Sequence, residues 1–126
     1  MKICIVGMNP SSYPADRATH RKNHTWDRLS RWIQTMGLPT TSFFNLVPTP
    51  GEIRRKDVEV DWVKDILKDY DVVLALGGFV SGVLNSIDVE HFKLPHPSPR
   101  NRLLNSKEYE AEVLNRCKEY VEQYNV

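Results

Sequence analysis

The sequence predicts one α/β domain spanning residues 1–126, a three-layer α/β/α arrangement around a mostly parallel sheet of about four strands. Three observations predict it. Short, near-continuous apolar runs alternate with amphipathic stretches. The runs have no polar face, as expected of strands covered on both sides. Polar loops rich in proline and glycine follow the runs, over 7–24, 47–57, 77–79 and 95–105.

Residues 2–6 (KICIV) read as a buried strand ended by Gly7. Residues 25–36 read as a helix, with Thr25 as N-cap, Trp26, Leu29, Ile33 and Met36 on one face, and Gly37 as the stop. Residues 41–46 (TSFFNL) form a second strand. Val63, Ile66, Leu67 and Tyr70 have helical spacing within 58–70. Residues 71–76 (DVVLAL) form a third strand, closed by Gly77-Gly78, and a short helix over 79–85 follows. A weak strand over 90–94 leads into Pro95-His96-Pro97-Ser98-Pro99. The last helix, 106–123, opens on Ser106, Glu108 and Glu110, which suit a helix N-terminus. Tyr109, Val113, Cys117, Tyr120 and Tyr124 share one side of it. Trp26, Trp32 and Trp62 read as core or helix-packing residues.

The chain has 126 residues, 40% of them apolar and 26% charged, enough for one hydrophobic core and far from a disordered composition. No apolar run approaches the roughly 20 residues that cross a bilayer. The start, MKICIVGMNP, is too short in its apolar part for a signal peptide. A cytoplasmic monomer with no membrane partner is expected. Cys4 and Cys117 lack metal or redox spacing and read as buried thiols. No phosphate-cradling glycine motif, carboxylate pair or Ser-His-Asp set is present, and no metal or cofactor is expected.

Net charge is only +1, but it is unevenly placed. Arg17, Arg21, Lys22, Arg54, Arg55, Lys56, Arg100 and Arg102 lie in the loops after the strands, against Asp16, Glu52 and Asp57, so those loops carry +5 and the remainder −4. A basic edge on a near-neutral protein suits an anionic ligand such as a nucleic-acid backbone.

Three segments end strands and present polar side chains: Gly7-Met8-Asn9-Pro10-Ser11-Ser12-Tyr13, Phe43-Phe44-Asn45-Leu46-Val47-Pro48, and His96-Pro97-Ser98-Pro99-Arg100-Asn101. Each contains proline, which fixes the backbone and so the aim of the neighbouring polar group. The first and third resemble the two signature motifs of the single-strand-selective monofunctional uracil-DNA glycosylases, within the uracil-DNA glycosylase superfamily. Asn45 after its strand resembles the superfamily's base-recognition segment. The order of the three also agrees.

The resemblance implies a uracil-DNA glycosylase-like fold and a monofunctional DNA glycosylase. Such an enzyme hydrolyses the N-glycosidic bond of uracil, or a uracil-like pyrimidine, after base flipping. No lysine lies in the three motifs to form a Schiff base. His96 would donate to the pyrimidine O2 as charge develops there. Asn9 would position the water, since an amide cannot act as a base. Asn45 would read the base edge, donating to O4 and accepting from N3–H. Gly7, Met8, Pro10 and Tyr13 would line the base pocket, Tyr13 near the pyrimidine C5. Ser98, Pro99, Arg100 and Asn101 would enter the DNA groove. Arg54, Arg55 and Lys56 would contact phosphate.

The partner would be DNA, single- or double-stranded, and the small size suits a bacterial or viral source. Ser11 stands where the family has glycine. The family's base-stacking aromatic has no clear counterpart in the first loop, which is polar near Lys22 and Asn23. Two rivals follow: a nucleic-acid-binding relative that does not cleave, and a hydrolase of free nucleotides. His20, His24 and His91 read as surface residues.

Overall fold

In strands buried on both faces, odd and even residues feed two separate cores, and this division organises the molecule. The computed structural model describes residues 1–9, 24–98 and 101–124. Strand β1 (Ile3–Gly7) is buried along its whole length, as is β3 (Val72–Leu76). Strand β2 (Thr41–Asn45) lies at one edge of the sheet and the short β4 (Phe92–Leu94) at the other. The order is β2-β1-β3-β4, and every pairing is parallel.

Among the described residues, four helices cover this sheet: α1 (His24–Met36), α2 (Val60–Leu67), α3 (Gly77–Ser86) and α4 (Lys107–Glu122). On one face Cys4, Val6, Val73 and Ala75 meet Val63 and Leu67 of α2 and Val80, Val83 and Leu84 of α3. On the other, Ile3, Ile5, Val72, Leu74, Leu76 and Leu94 meet Leu29, Trp32 and Met36 of α1 and Leu114, Cys117 and Val121 of α4. The α/β class and the parallel four-stranded sheet therefore follow the sequence pattern.

The chain leaves β1 for β2 on one side, then returns across β1 to β3 and β4 on the other. The reversal falls between β1 and β3, and parallel strands bring all four carboxyl ends to one edge. A ligand crevice in an open α/β sheet forms at that point.

Local signals account for the helix ends. Gly37 has φ 64° and Leu38 N–H donates to Ile33 O at 3.2 Å, the glycine-terminated stop that closes α1. The Ser106 hydroxyl accepts from Tyr109 N–H at 3.2 Å and caps α4.

Several boundaries differ from expectation. Helix α1 starts at His24, so Thr25 lies inside its first turn rather than capping it. Helix α2 is shorter than 58–70: Val58 packs into the core after a 3₁₀ turn at Arg55–Asp57. Helix α3 begins at Gly77 without an intervening loop, because Gly77 takes φ 87° and turns the chain directly from strand into helix. The deepest side of α4 is Leu114, Cys117 and Val121, with the tyrosines and Val113 packed at its margin. Of the three tryptophans, Trp32 is 2% exposed, but Trp26 and Trp62 are 44% and 43% exposed. No helix among the described residues is long and apolar enough to cross a membrane.

Leu74 is fully buried at the centre of the second core. Leu74→Ala is predicted to cost about 2–5 kcal/mol in urea unfolding, from lost burial and the cavity left behind. A loss below about 1 kcal/mol would contradict that packing.

Candidate functional site at the carboxyl edge of the sheet

The parallel pairing of β1 and β2 continues past both strands. Gly7 pairs with Asn45, Leu46 N–H donates to Gly7 O at 2.9 Å, and Val47 N–H donates to Met8 O at 3.1 Å. The next residue, Asn9, takes over with its side chain. Its Nδ2 donates to Thr49 O at 3.1 Å and to Gly51 O at 2.7 Å. With both amide hydrogens turned to carbonyls, the functional atom left to Asn9 is the Oδ1 acceptor. Asn9 thus ties the first loop to the second and has a fixed orientation.

Asn45 sits beside it, over Gly7. A methyl group at Gly7 would lie 2.7 Å from Asn45 Oδ1 and 2.8 Å from Phe43 Cζ. Both distances are far inside van der Waals contact, so a glycine is required for Asn45 and the Phe43 ring to close over the β1 backbone. Met8, half-buried, packs its side chain at the margin of the first core.

His96 follows β4 on the same edge, between the buried Pro95 and Pro97. Its Cβ is 3.5 Å and its Cδ2 3.7 Å from where a Gly77 methyl would stand, so the imidazole leans on the first residue of α3. The residue is exposed overall, but the ring loses solvent on that side, and this desolvation lowers its pKa below the ordinary histidine value. Ser98 N–H donates to Nδ1 at 3.1 Å. An accepting Nδ1 carries no proton, so the neutral ring holds its hydrogen on Nε2.

The loop beyond is braced by Asn101. Asn101 Nδ2 donates to His96 O at 3.0 Å, its N–H to Ser98 O at 3.0 Å, and its Oδ1 accepts from Leu103 N–H at 3.2 Å. Asn101 therefore closes the histidine loop and caps the 3₁₀ turn Arg102–Asn105. An open groove of about 450 Å³ runs outward from His96 along β4, past Lys93, Leu103, Tyr109 and Arg116.

The basic segment is anchored at both ends by the buried Ile53 and Val58. Asp57 Oδ2 accepts from Arg54 N–H at 2.8 Å and holds the turn. Arg54, Arg55 and Lys56 are exposed, but they are not equivalent. The Arg55 guanidinium lies over α3, with Nη2 2.6 Å from where a Gly82 methyl would be.

The structure thus gathers Gly7, Met8, Asn9, Asn45, His96, Ser98 and Asn101 along one edge. Pro10, Tyr13, Pro99 and Arg100 lie outside the described residues, as does His20. His91 departs from the surface reading. It is half-buried, with Nε2 2.8 Å from the Ser81 hydroxyl and Nδ1 2.8 Å from Val89 O, and it pins α3 to the start of β4. Neither the brace by Asn101 nor the link between Asn9 and the 49–51 segment has a local signal in the sequence. Proline beside Asn9 and His96 was the one hint that these loops are rigid. Among the described residues, no three His, Cys, Asp or Glu side chains gather as a metal set.

Compared with protein-family models and with curated proteins, the chain matches none.

Two predictions follow from this geometry. A ring titration by NMR should place the His96 midpoint below the ordinary value of about 6.5, with the Nε2–H tautomer dominant above it. Because the folded state holds this proton more weakly, the neutral ring's contribution to stability is present above the ordinary value and is lost as pH falls through the folded pKa. A midpoint at or above the ordinary value would contradict the desolvated setting. Gly7→Ala should destabilise the fold by about 1–3 kcal/mol and force Asn45 or Phe43 off the strand end. An unchanged melting curve together with unchanged Asn45 side-chain resonances would refute the close contact.

Proposed function

We propose that this edge binds a flipped pyrimidine of DNA and that the protein is a monofunctional glycosylase of the uracil-DNA glycosylase type. The observation that carries the reading is the state of His96. A neutral imidazole with Nδ1 occupied by a backbone amide offers one donor, Nε2–H, on the edge where the carboxamides of Asn9 and Asn45 stand. A donor of this kind stabilises an oxygen that becomes anionic only in the transition state.

The reaction needs no group beyond these. The C1′–N1 bond breaks and its electron pair passes into the base, delocalised over N1 and O2. Nε2–H of His96 bonds O2 as that charge grows. Water adds to C1′ from the opposite side and gives its proton to solvent, with Asn9 Oδ1 accepting one of its hydrogens. The departing base is later protonated by solvent. Asn9 does not titrate, so it orients the water without activating it. The chemistry therefore leans on leaving-group stabilisation. Asn45 reads the base edge, with its Oδ1 standing over Gly7. The exposed Arg54 and Lys56, on a turn anchored in the core, supply phosphate contacts.

The test is base release from labelled oligonucleotides carrying uracil, 5-hydroxymethyluracil or thymine, single- and double-stranded. Wild type should release at least one base, and His96→Ala should lose about 10²–10³-fold in rate. Salt-sensitive DNA binding with no release would replace the glycosylase by a binding protein of the same fold. Competition by free nucleotide but not by oligonucleotide would point to a nucleotide hydrolase.

A further inference from the structure

We infer that the groove running outward from His96 along β4 is the path of the DNA strand on one side of the flipped nucleotide, with Lys93 and Arg116 holding its phosphates. This path belongs to the glycosylase reading proposed above and rests on it. Flipping costs unstacking energy, and contacts to the flanking backbone offset that cost and hold the strand in register. The groove supplies such contacts from residues outside the basic loops.

Three elements build it. The floor is the edge strand β4, with Phe92 and Lys93. One wall is the turn braced by Asn101, which presents Leu103. The other is α4, where Tyr109, Val113 and Arg116 follow at helical spacing. Helical spacing alone assigns Tyr109 and Val113 to the core, but both are only partly buried and also line the groove. Its volume of about 450 Å³ is that of a ligand-sized cleft.

Charge gives the cleft its ligand. Two cations line it, Lys93 and Arg116, and among the described residues no carboxylate does. The surroundings are of opposite sign. Residues outside the strand-end loops carry a net −4, and α4 has five acids against three bases. The side of α4 that faces the groove nevertheless presents Arg116. Lys93 is exposed, with Nζ 3.8 Å from where a Gly78 methyl would stand, and no carboxylate among the described residues pairs with it. Arg116 pairs with Glu112, one turn earlier on the same helix, and both side chains are exposed. An exposed pair of this kind is weak, and the guanidinium can exchange the carboxylate for a phosphate. Two cations and an aromatic ring in one cleft match a polymer in which phosphates alternate with flat bases. The groove leaves His96 in one direction, so only one flank of the flipped nucleotide lies in it.

The experiment uses the full chain and fluorescein-labelled single-stranded oligonucleotides carrying one uracil. Anisotropy gives affinity over a range of salt concentrations, and KM and kcat for base release are measured in parallel. The variants are Lys93→Gln, Arg116→Gln, Arg116→Lys, Glu112→Gln and Lys68→Gln. Lys93→Gln and Arg116→Gln should each bind about 5-fold more weakly at low salt. Each should lower the slope of log affinity against log salt by about 0.7, the loss of one phosphate contact. The change should fall on KM and leave kcat. Arg116→Lys should keep the slope, and Glu112→Gln should tighten binding by freeing the guanidinium. Lys68, paired with Asp65 between α2 and β3, lies at the amino edge of the sheet, so Lys68→Gln removes the same charge and should leave the slope unchanged. Shortening the oligonucleotide on one flank of the uracil should abolish the effect of Lys93→Gln, and shortening the other flank should not.

Base release with unchanged slopes in Lys93→Gln and Arg116→Gln overturns the path and leaves the glycosylase reading standing. An equal loss from Lys68→Gln, or an effect of Lys93→Gln that survives shortening of either flank, also overturns it, because net charge then accounts for the change. Reduced slopes in the groove variants with no release by wild type uphold the path and remove the enzyme. No binding of any oligonucleotide overturns both.

Discussion

The pairing of β1 with β2 is the interaction on which the rest of the candidate site depends. It does not stop at the strand ends. Backbone bonds from Leu46 and Val47 to Gly7 and Met8 carry the register two residues further, and Asn9 then repeats it with its side chain. Each added bond is worth only about 1 kcal/mol net. Their effect is to hold two loops, far apart in sequence, at one spacing. A one-residue slip of β2 would remove Asn45 from Gly7 and send Phe43 to the opposite face of the sheet. The absent side chain at Gly7 makes the correct register the one in which ring and carboxamide both fit.

On the other side of β3 the same economy holds His96. Pro95 and Pro97 restrict the backbone, Ser98 N–H fixes the ring's protonation pattern, Asn101 locks the carbonyl, and the imidazole rests beside Gly77 at the start of α3. Helix α3 is also joined to the start of β4 through Ser81 and His91. Helix and strand are therefore clasped at two points, and the histidine stands on a rigid support. Preorganisation of this kind matters for a group that stabilises developing charge, since it avoids reorganisation during the reaction.

Much of the fold was legible because its signals are local. Strands such as VVLAL, covered on both faces, read as continuous apolar runs, and the glycine after Met36 ends α1 as glycine does in isolated helices. The misreadings arose where tertiary packing decides. Gly77-Gly78 looks like a turn, but a left-handed Gly77 lets α3 start at once. The helical period places Tyr109 and Leu114 on adjoining sides of α4, and only the sheet decides which is deeper. Periodicity puts Trp26 on the inner side of α1 but does not show that it stays 44% exposed against Phe43. For the candidate site, residue types and their order were visible in three proline-marked segments. The contacts between Asn9 and Gly51, or Gly7 and Asn45, span roughly 40 residues, and no local pattern encodes them.

The layering of the molecule also decides the fate of its sulfur chemistry. Cys4 belongs to the core on one side of the sheet and Cys117 to the core on the other, both buried. Burial pushes each thiol up to about 12. At neutral pH the thiolate that oxidants and electrophiles attack is then about one part in 10⁵. With a hydrogen-bonded sheet between them, the two sulfurs cannot join within one folded chain. Redox stress leaves these two thiols of the folded protein unmarked, and covalent capture of either sulfur becomes a clock for how often the interior opens.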